Sequence, residues 1–166
     1  MQKKVLRSAT SVVCLFAAGC ANLPGIAPGT PAAAVESQSG KPFRVWKEQG
    51  GAASWEYPEG PSGRHTWMVR MGPDGTATRV DQVLDWPFFN TLTPGMPMTE
   101  VEHTLGRPYG EVTYPITGET AWAWRWVETV WNRCFFAYAT PDGKLIRTGV
   151  RDEESGDHGL LTTSPC

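Results

Sequence analysis

The sequence is poor in the residues from which catalytic and metal sites are built. It has three histidines and four cysteines among 166 residues, and it contains no H-E-x-x-H, C-x-x-C or nucleophile-elbow motif. His65, His103 and His158 do not pair at metal-ligand spacing, and the glycines follow no phosphate-binding pattern. We therefore expect no catalytic site, no metal and no cofactor, and we predict that the protein is not an enzyme.

The chain also lacks the excess of positive charge that nucleic-acid binding requires. Its 15 cationic and 17 anionic side chains give a net charge of −2. Three of the cations lie in the first seven residues, so residues 20–166 keep 12 cations and all 17 anions, a net charge of −5. This balance argues against a nucleic-acid partner and against electrostatic capture by anionic lipids.

The first twenty residues have the features of a targeting segment. A basic stretch, MQKKVLR, precedes the apolar SATSVVCLFAAG, which is too short to span a bilayer. The segment ends in AAGC, with Cys20 last, and this ending resembles the bacterial lipobox. The resemblance implies a signal peptide at 1–19, a lipidated N-terminus at 20–22 and a membrane anchor on Cys20. An ordinary secretory signal is the alternative.

The residue after the lipobox cysteine is Ala21 rather than aspartate. By resemblance to enterobacterial sorting rules, the destination is the periplasmic face of the bacterial outer membrane. Outside the leader, two cysteines remain, Cys134 and Cys166. In an oxidising compartment an even pair usually forms a disulfide, which would clasp the C-terminal tail, 156–166, to the folded part. Two free thiols are the alternative.

Two stretches of the chain share a pattern of prolines and glycines. IAPGTPAAAVESQSGKPF, residues 26–43, aligns without a gap with LTPGMPMTEVEHTLGRPY, residues 92–109. Downstream, W-x-Y corresponds to W-x-W, and one PDG triplet corresponds to another. Self-similarity at a fixed spacing indicates a duplicated supersecondary unit. We predict repeat 1 at 23–88 and repeat 2 at 89–155.

The second repeat shows the shape of the unit. Met98, Val101 and Leu105 follow helical spacing, and Gly106 ends that helix. The segments YGEVTY, TAWAWRWV, RCFFAYAT and KLIRTGV then read as strands separated by turns. The predicted fold is α+β, with each unit a short helix packed on a three- to four-stranded antiparallel meander. Because the apolar stripe of the first helix is weaker, we expect that helix to be short or frayed.

Tryptophan is abundant, with eight in the chain. Trp122, Trp124 and Trp126 share one face of a strand, and the first two have aromatic counterparts in repeat 1, which favours a place in the core. Trp126 and Trp131 have no such counterparts. We predict that these two contact a protein partner, since exposed aromatic residues favour interfaces. Three further aromatic residues of the LDWPFF segment, Trp86, Phe88 and Phe89, are predicted to fill the seam between the repeats.

The lipobox, the LTPGM…EV…LGRP phrase, the W-x-W strand and the closing PDGK together resemble the SmpA/OmlA (BamE-like) outer-membrane lipoproteins. In tandem form the unit also resembles β-lactamase inhibitory proteins. Pro31 and Pro97 depart from the BamE pattern, which has Ser or Thr caps there. The resemblance implies a non-catalytic accessory factor in β-barrel assembly and envelope integrity, with partners in that machinery and no small-molecule substrate. The alternative is a protein inhibitor or binder of a secreted hydrolase, acting through the Trp126/Trp131 region.

Overall fold

The computed structural model describes residues 23–60, 63–153 and Cys166. The predicted signal peptide, Cys20 and most of the C-terminal tail lie outside these residues. The fold is α+β, with two antiparallel four-stranded sheets and a few short helices, so the predicted fold class is confirmed. In the described ranges, no helix has both the length and the apolar character needed to cross a bilayer.

The first sheet is a simple meander preceded by one helix. Its strands are hydrogen-bonded in the order β1-β2-β3-β4. A short 3-10 turn, Leu23–Gly25, precedes the helix, and another, Gln49–Gly51, joins the first two strands. The elements are α1 (Ala32–Ser39), β1 (Arg44–Lys47), β2 (Ala53–Pro58), β3 (Thr66–Met71) and β4 (Ala77–Gln82).

The second sheet has the same connectivity, β5-β6-β7-β8. The four strands and the helix predicted for this half are confirmed. The elements are α2 (Trp86–Phe89), α3 (Met98–Leu105), β5 (Gly110–Thr113), β6 (Thr120–Glu128), β7 (Trp131–Ala139) and β8 (Leu145–Asp152). α1 and α3 both have eight residues. α1 is therefore short, as expected, although it is no shorter than α3, and it buries only Val35.

Both helices are held to their sheets by corresponding contacts. Each ends at a glycine whose carbonyl accepts a side-chain hydrogen bond from the second strand of its sheet. Tyr57 Oη donates to Gly40 O at 3.1 Å, and Trp124 Nε1 donates to Gly106 O at 2.9 Å. The residue before each helix bridges to the residue before the fourth strand: Pro31 with Thr76, and Pro97 with Lys144.

The LDWPFF aromatics lie in the core of the second half. Phe89 stacks on Phe135 with 4.0 Å between ring centroids, and Trp126 meets Phe89 edge-on at 5.0 Å. Phe88 packs against the same cluster. The prediction that Trp86, Phe88 and Phe89 fill the seam between the halves is therefore wrong. α2 covers one end of the second core, because its aromatic side chains pack against apolar residues there.

The outer face of the second sheet is also apolar. Ala121, Ala123 and Phe136 lie on it with Cys134. Cys134 and Cys166 lie at disulfide-bonding distance, with Cα atoms 6.1 Å apart, so the last residue of the chain packs against this face. Residues 154–165, which connect it to β8, lie outside the described part of the chain.

Candidate functional site

A buried carboxylate lies where the end of α3 meets the outer face of the first sheet. Residues alternate across β2, so Glu56 points away from the core that its neighbours Trp55 and Tyr57 share with α1. Its side chain is 0% exposed. It accepts the backbone N–H of Arg107 at 2.6 Å and Trp46 Nε1 at 3.1 Å. Glu56 therefore joins the first sheet to the loop that follows α3.

Ionic contacts extend this seam along α3. The Nε2 atom of His103 lies 2.7 Å from Glu48 Oε1, and the His103 ring lies 4.9 Å from that of Trp46. Arg44 binds Glu102 at 2.6 Å. α3 thus presents its apolar stripe to the second sheet and its polar side to the first sheet, so one helix serves two layers.

Glu153, after β8, makes a further link between the halves. It accepts from Arg64 Nε of the first half at 2.9 Å and pairs with Arg125 Nε of β6 at 3.1 Å. The Arg125 guanidinium also lies 3.8 Å from the ring centroid of Tyr109. Charged groups, together with the rings of Trp46 and Phe43, therefore connect the two halves, in place of the expected aromatic residues of the 84–89 segment.

The seam perturbs two of its carboxyl groups in opposite directions. Burial raises the pKa of Glu56 by more than the hydrogen bonds from Arg107 N–H and Trp46 lower it. Burial also acts to raise the pKa of Glu48, but hydrogen bonds from Ser54 and His103 bring it below its ordinary value. A raised carboxyl pKa is one mark of a catalytic acid. The Glu56 side chain is fully buried, however, so we interpret its contacts as structural.

We predict a pH dependence that distinguishes the two carboxyls. Because the folded-state pKa of Glu56 lies above its unfolded value, the folded state binds more protons just above the ordinary glutamate pKa of about 4.3. The free energy of unfolding of the wild type should fall, relative to Glu56→Gln, as the pH rises through this range. Urea unfolding of both proteins at a series of pH values measures it.

Glu48→Gln is the matched control for this experiment. The lowered pKa of Glu48 means that its stabilising contribution is present above the unfolded pKa and is lost as the pH falls. Its difference curve should therefore slope in the opposite direction to that of Glu56→Gln. Two curves of the same slope would contradict the assignment of the seam.

Sequence reasoning missed Glu56. One signal was present: the equivalent residue of the second half is Ala123, so the first half has a carboxylate where the second has a methyl group. Only the position of α3 explains the difference. Within residues 23–60, 63–153 and 166, no three His, Cys, Asp or Glu side chains are placed to hold a metal ion together.

The hairpin between β6 and β7 presents an apolar surface to solvent, here called the hairpin tip and made of Trp86, Val130 and Trp131. Val130 is 75% exposed and Trp131 66% exposed. Thr129, in the two-residue turn, has φ of 58°, a conformation uncommon for a β-branched residue. The exposed face of Trp86 is held at the tip by a 2.7 Å hydrogen bond from its Nε1 to Glu128.

Trp126 is not part of this surface. It is 1% exposed, with its ring 5.5 Å from Trp86 and 5.0 Å from Phe89. The prediction that Trp126 contacts a partner is wrong. Its counterpart in the first half, Glu59, is exposed, whereas the Trp126 ring is covered by Trp86 and Phe89 of α2. For Trp131, the exposed position leaves partner contact as a prediction.

Comparisons with known proteins leave the family open. No protein-family model matches the chain, and no curated protein matches it. Among solved structures, the DUF4309 family protein YjgB from Bacillus subtilis is similar over 74% of this chain and 78% of its own, with 15% sequence identity and a TM-score of 0.28. A likeness this weak assigns neither fold nor function.

Proposed function

We propose that this chain is a lipid-anchored, non-catalytic accessory factor of β-barrel assembly at the periplasmic face of the outer membrane. It supports envelope integrity by binding protein partners. The observation that carries the proposal is the exposed hairpin tip, in which an aromatic residue is held out in solvent by a strained turn. The proposed location is inferred from the lipobox that ends at Cys20, and the proposed role in barrel assembly is inferred from the BamE-like sequence motifs.

The hairpin tip has the chemistry of a protein-docking surface. Tryptophan is enriched among residues that dominate binding energy, and an exposed cluster of Trp and Val favours association. Backbone strain of the kind at Thr129 costs about 1–3 kcal/mol and concentrates at functional positions. β6 and β7 have nine residues each, so the tip stands about 30 Å from the far end of its hairpin.

We further infer that the two halves are copies of one BamE-like or β-lactamase-inhibitory-protein-like unit. Support comes from details that a shared fold class alone does not require. Both helices end at glycines with φ of 78°, and both glycine carbonyls accept from an aromatic residue of the second strand. The third and fourth strands of each sheet shift register at the equivalent place, after Arg70 and after Tyr138.

The position of Leu23 bears on the anchor. Its side chain is buried in the first core, and Cys20 precedes it by three residues, a span of at most about 10 Å. A lipid on Cys20 would therefore place the first half against the bilayer. The second half, with the hairpin tip, would then be the part offered to partners.

Replacing Cys20 with alanine tests the anchor. The variant should no longer fractionate with outer membranes, because stable anchoring depends on the attached acyl chains. Cys14→Ala, which removes the other leader cysteine, is the matched control and should remain membrane-bound. Retention of Cys20→Ala in the outer-membrane fraction would refute lipid anchoring.

Replacing Trp131 with alanine tests the partner surface. Affinity purification of the tagged wild type after crosslinking in cells should recover barrel-assembly components. Trp131→Ala should reduce that recovery about tenfold or more, since loss of a central aromatic contact costs about 2 kcal/mol. Ile116→Ala is the control, because Ile116 is 99% exposed on a different loop and should change nothing.

Two outcomes would overturn this assignment. Equal recovery of barrel-assembly components with Trp131→Ala would show that the hairpin tip is not the binding surface. If the wild type recovers no barrel-assembly component, this machinery is not its partner. If the purified protein instead inhibits a secreted β-lactamase at nanomolar concentration, and Trp131→Ala relieves the inhibition, the alternative function as a hydrolase inhibitor is established.

A further inference from the structure

A cavity of about 490 Å³ opens at one end of the first core. It lies by the C-terminal end of α1, on the face of the first sheet that carries Tyr57 and Trp67. Its apolar walls are formed by Leu23, Phe43, Tyr57 and Trp67. The volume falls in the range of small-molecule sites, about 300–1,000 Å³. Neither the hairpin tip nor the contacts of Glu56 account for it.

Two exposed cations, Lys41 and Arg107, line this cavity, and neither has an ionic partner among the described residues. The Arg107 guanidinium lies 5.1 Å from the ring centroid of Phe43, which places it on the aromatic wall. The carboxylate among the lining residues, Glu59, is bound by His65 Nδ1 at 2.7 Å.

The charge balance of the cavity is opposite to that of the whole chain. The lining has two cations that form no salt bridge within the described part of the chain and one carboxylate that is already hydrogen-bonded, whereas the protein carries a net charge of −2. A concave site with charge of one sign raises the local concentration of counter-charged ligands. A small inorganic anion would satisfy the cations but leave the aromatic walls in water, so the lining fits a molecule with an anionic end and an apolar body.

We propose that this cavity binds an amphipathic carboxylate, such as a medium-chain fatty acid. The carboxylate is held by Lys41 and Arg107, because the planar guanidinium fork matches carboxylate oxygens. The alkyl chain lies along Leu23, Phe43 and Trp67, where its burial supplies the apolar part of the affinity. The ligand is bound without undergoing a reaction. The inference is independent of lipidation and of the hairpin tip.

Calorimetric titration with octanoate tests the proposal. The full chain carrying Cys20→Ser, so that no acyl group is attached, is titrated with octanoate, with 1-octanol and with acetate. Octanoate should bind at one saturable site, at least tenfold more tightly than 1-octanol, which lacks the charge, or acetate, which lacks the chain. Absence of saturable octanoate binding, or equal affinity for 1-octanol, would overturn the proposal.

Variants locate the binding to this cavity. Arg107→Gln and Lys41→Gln should each weaken octanoate binding about tenfold, as expected for loss of one charge-assisted contact. Arg107→Gln keeps the backbone N–H that binds Glu56, so the seam is retained. Lys47→Gln makes the same charge change on β1 outside the cavity and should have no effect. An equal loss with Lys47→Gln would show that general charge, and not this cavity, attracts the ligand.

A peptide ligand is the remaining outcome. A short peptide ending in phenylalanine also joins a carboxylate to an apolar group. Binding of that peptide at least tenfold more tightly than octanoate, and equally sensitive to Arg107→Gln, would reassign the cavity to polypeptide C-termini and overturn the fatty-acid assignment.

Discussion

Trp126→Ala should lower the free energy of unfolding by about 3–5 kcal/mol, the range measured for truncation of large buried aromatic residues. The indole is 1% exposed and lies between α2 and the second sheet. Its removal deletes the edge-to-face contacts with Trp86 and Phe89. The resulting space is bounded by other aromatic rings, which are too rigid to collapse into it.

Trp131→Ala is the matched control for this experiment. The same residue type is removed from a site that is 66% exposed, where a substitution usually changes stability by about 0.5 kcal/mol or less. Urea unfolding measures both variants, and a shift of midpoint at constant slope reports stability alone. A loss below about 1 kcal/mol for Trp126→Ala would contradict its assignment to the core.

Gly106→Ala should destabilise the protein by about 1–3 kcal/mol more than Gly40→Ala. Both glycines end a helix at φ of 78° with nearly extended ψ, a region that only glycine enters without strain. A side chain at either position therefore carries a similar backbone cost. The surroundings differ. A Cβ at Gly106 would lie 2.6 Å from Thr66 Cγ2 and 3.1 Å from Glu56 Oε1, whereas a Cβ at Gly40 meets nothing within 4 Å.

The additional loss at Gly106 measures how firmly the two halves are joined. Thr66 is buried, so it cannot swing into solvent, and relief requires the first sheet to move away from α3. Overpacking of this kind costs about 1–3 kcal/mol. Both variants are measured by the same unfolding experiment. Equal destabilisation would show that the first sheet moves away from α3 at little cost, and it would refute a rigid junction.

The two sheets use their outer faces differently. In the first sheet that face carries Glu56 and is covered by the polar side of α3, whereas in the second it carries Ala123 and is covered in part by Cys166. The Glu56 side chain is tolerated in the first environment because backbone and indole N–H groups form hydrogen bonds with it, which offset part of the cost of its burial. On the apolar face of the second sheet, the guanidinium groups of Arg147 and Arg151 lie over the rings of Tyr138 and Phe136, and the cysteine pair holds the chain end in place.

Some features followed from the sequence because their causes are local. The helix at Met98–Leu105 is bounded by a proline and a glycine and has a regular apolar stripe, and the four strands after it are separated by turn residues. Because backbone preferences and side-chain spacing act within a few residues, the sequence predicts these helix and strand boundaries. The weak apolar stripe of α1 indicated a short helix, and α1 has eight residues, of which only Val35 is buried.

The chemistry-poor composition, the α+β class and the helix and strand positions of the second half were determined by the sequence alone, since each depends on residue types and short-range order. The tertiary structure decided which aromatic residues are exposed: Trp126 and Trp131 are close in sequence, but α2 covers one and leaves the other in solvent. It also placed Glu56 in a buried seam and left Lys41 and Arg107 beside one cavity. These outcomes depend on which distant segment packs against each face, and strand periodicity does not encode that choice.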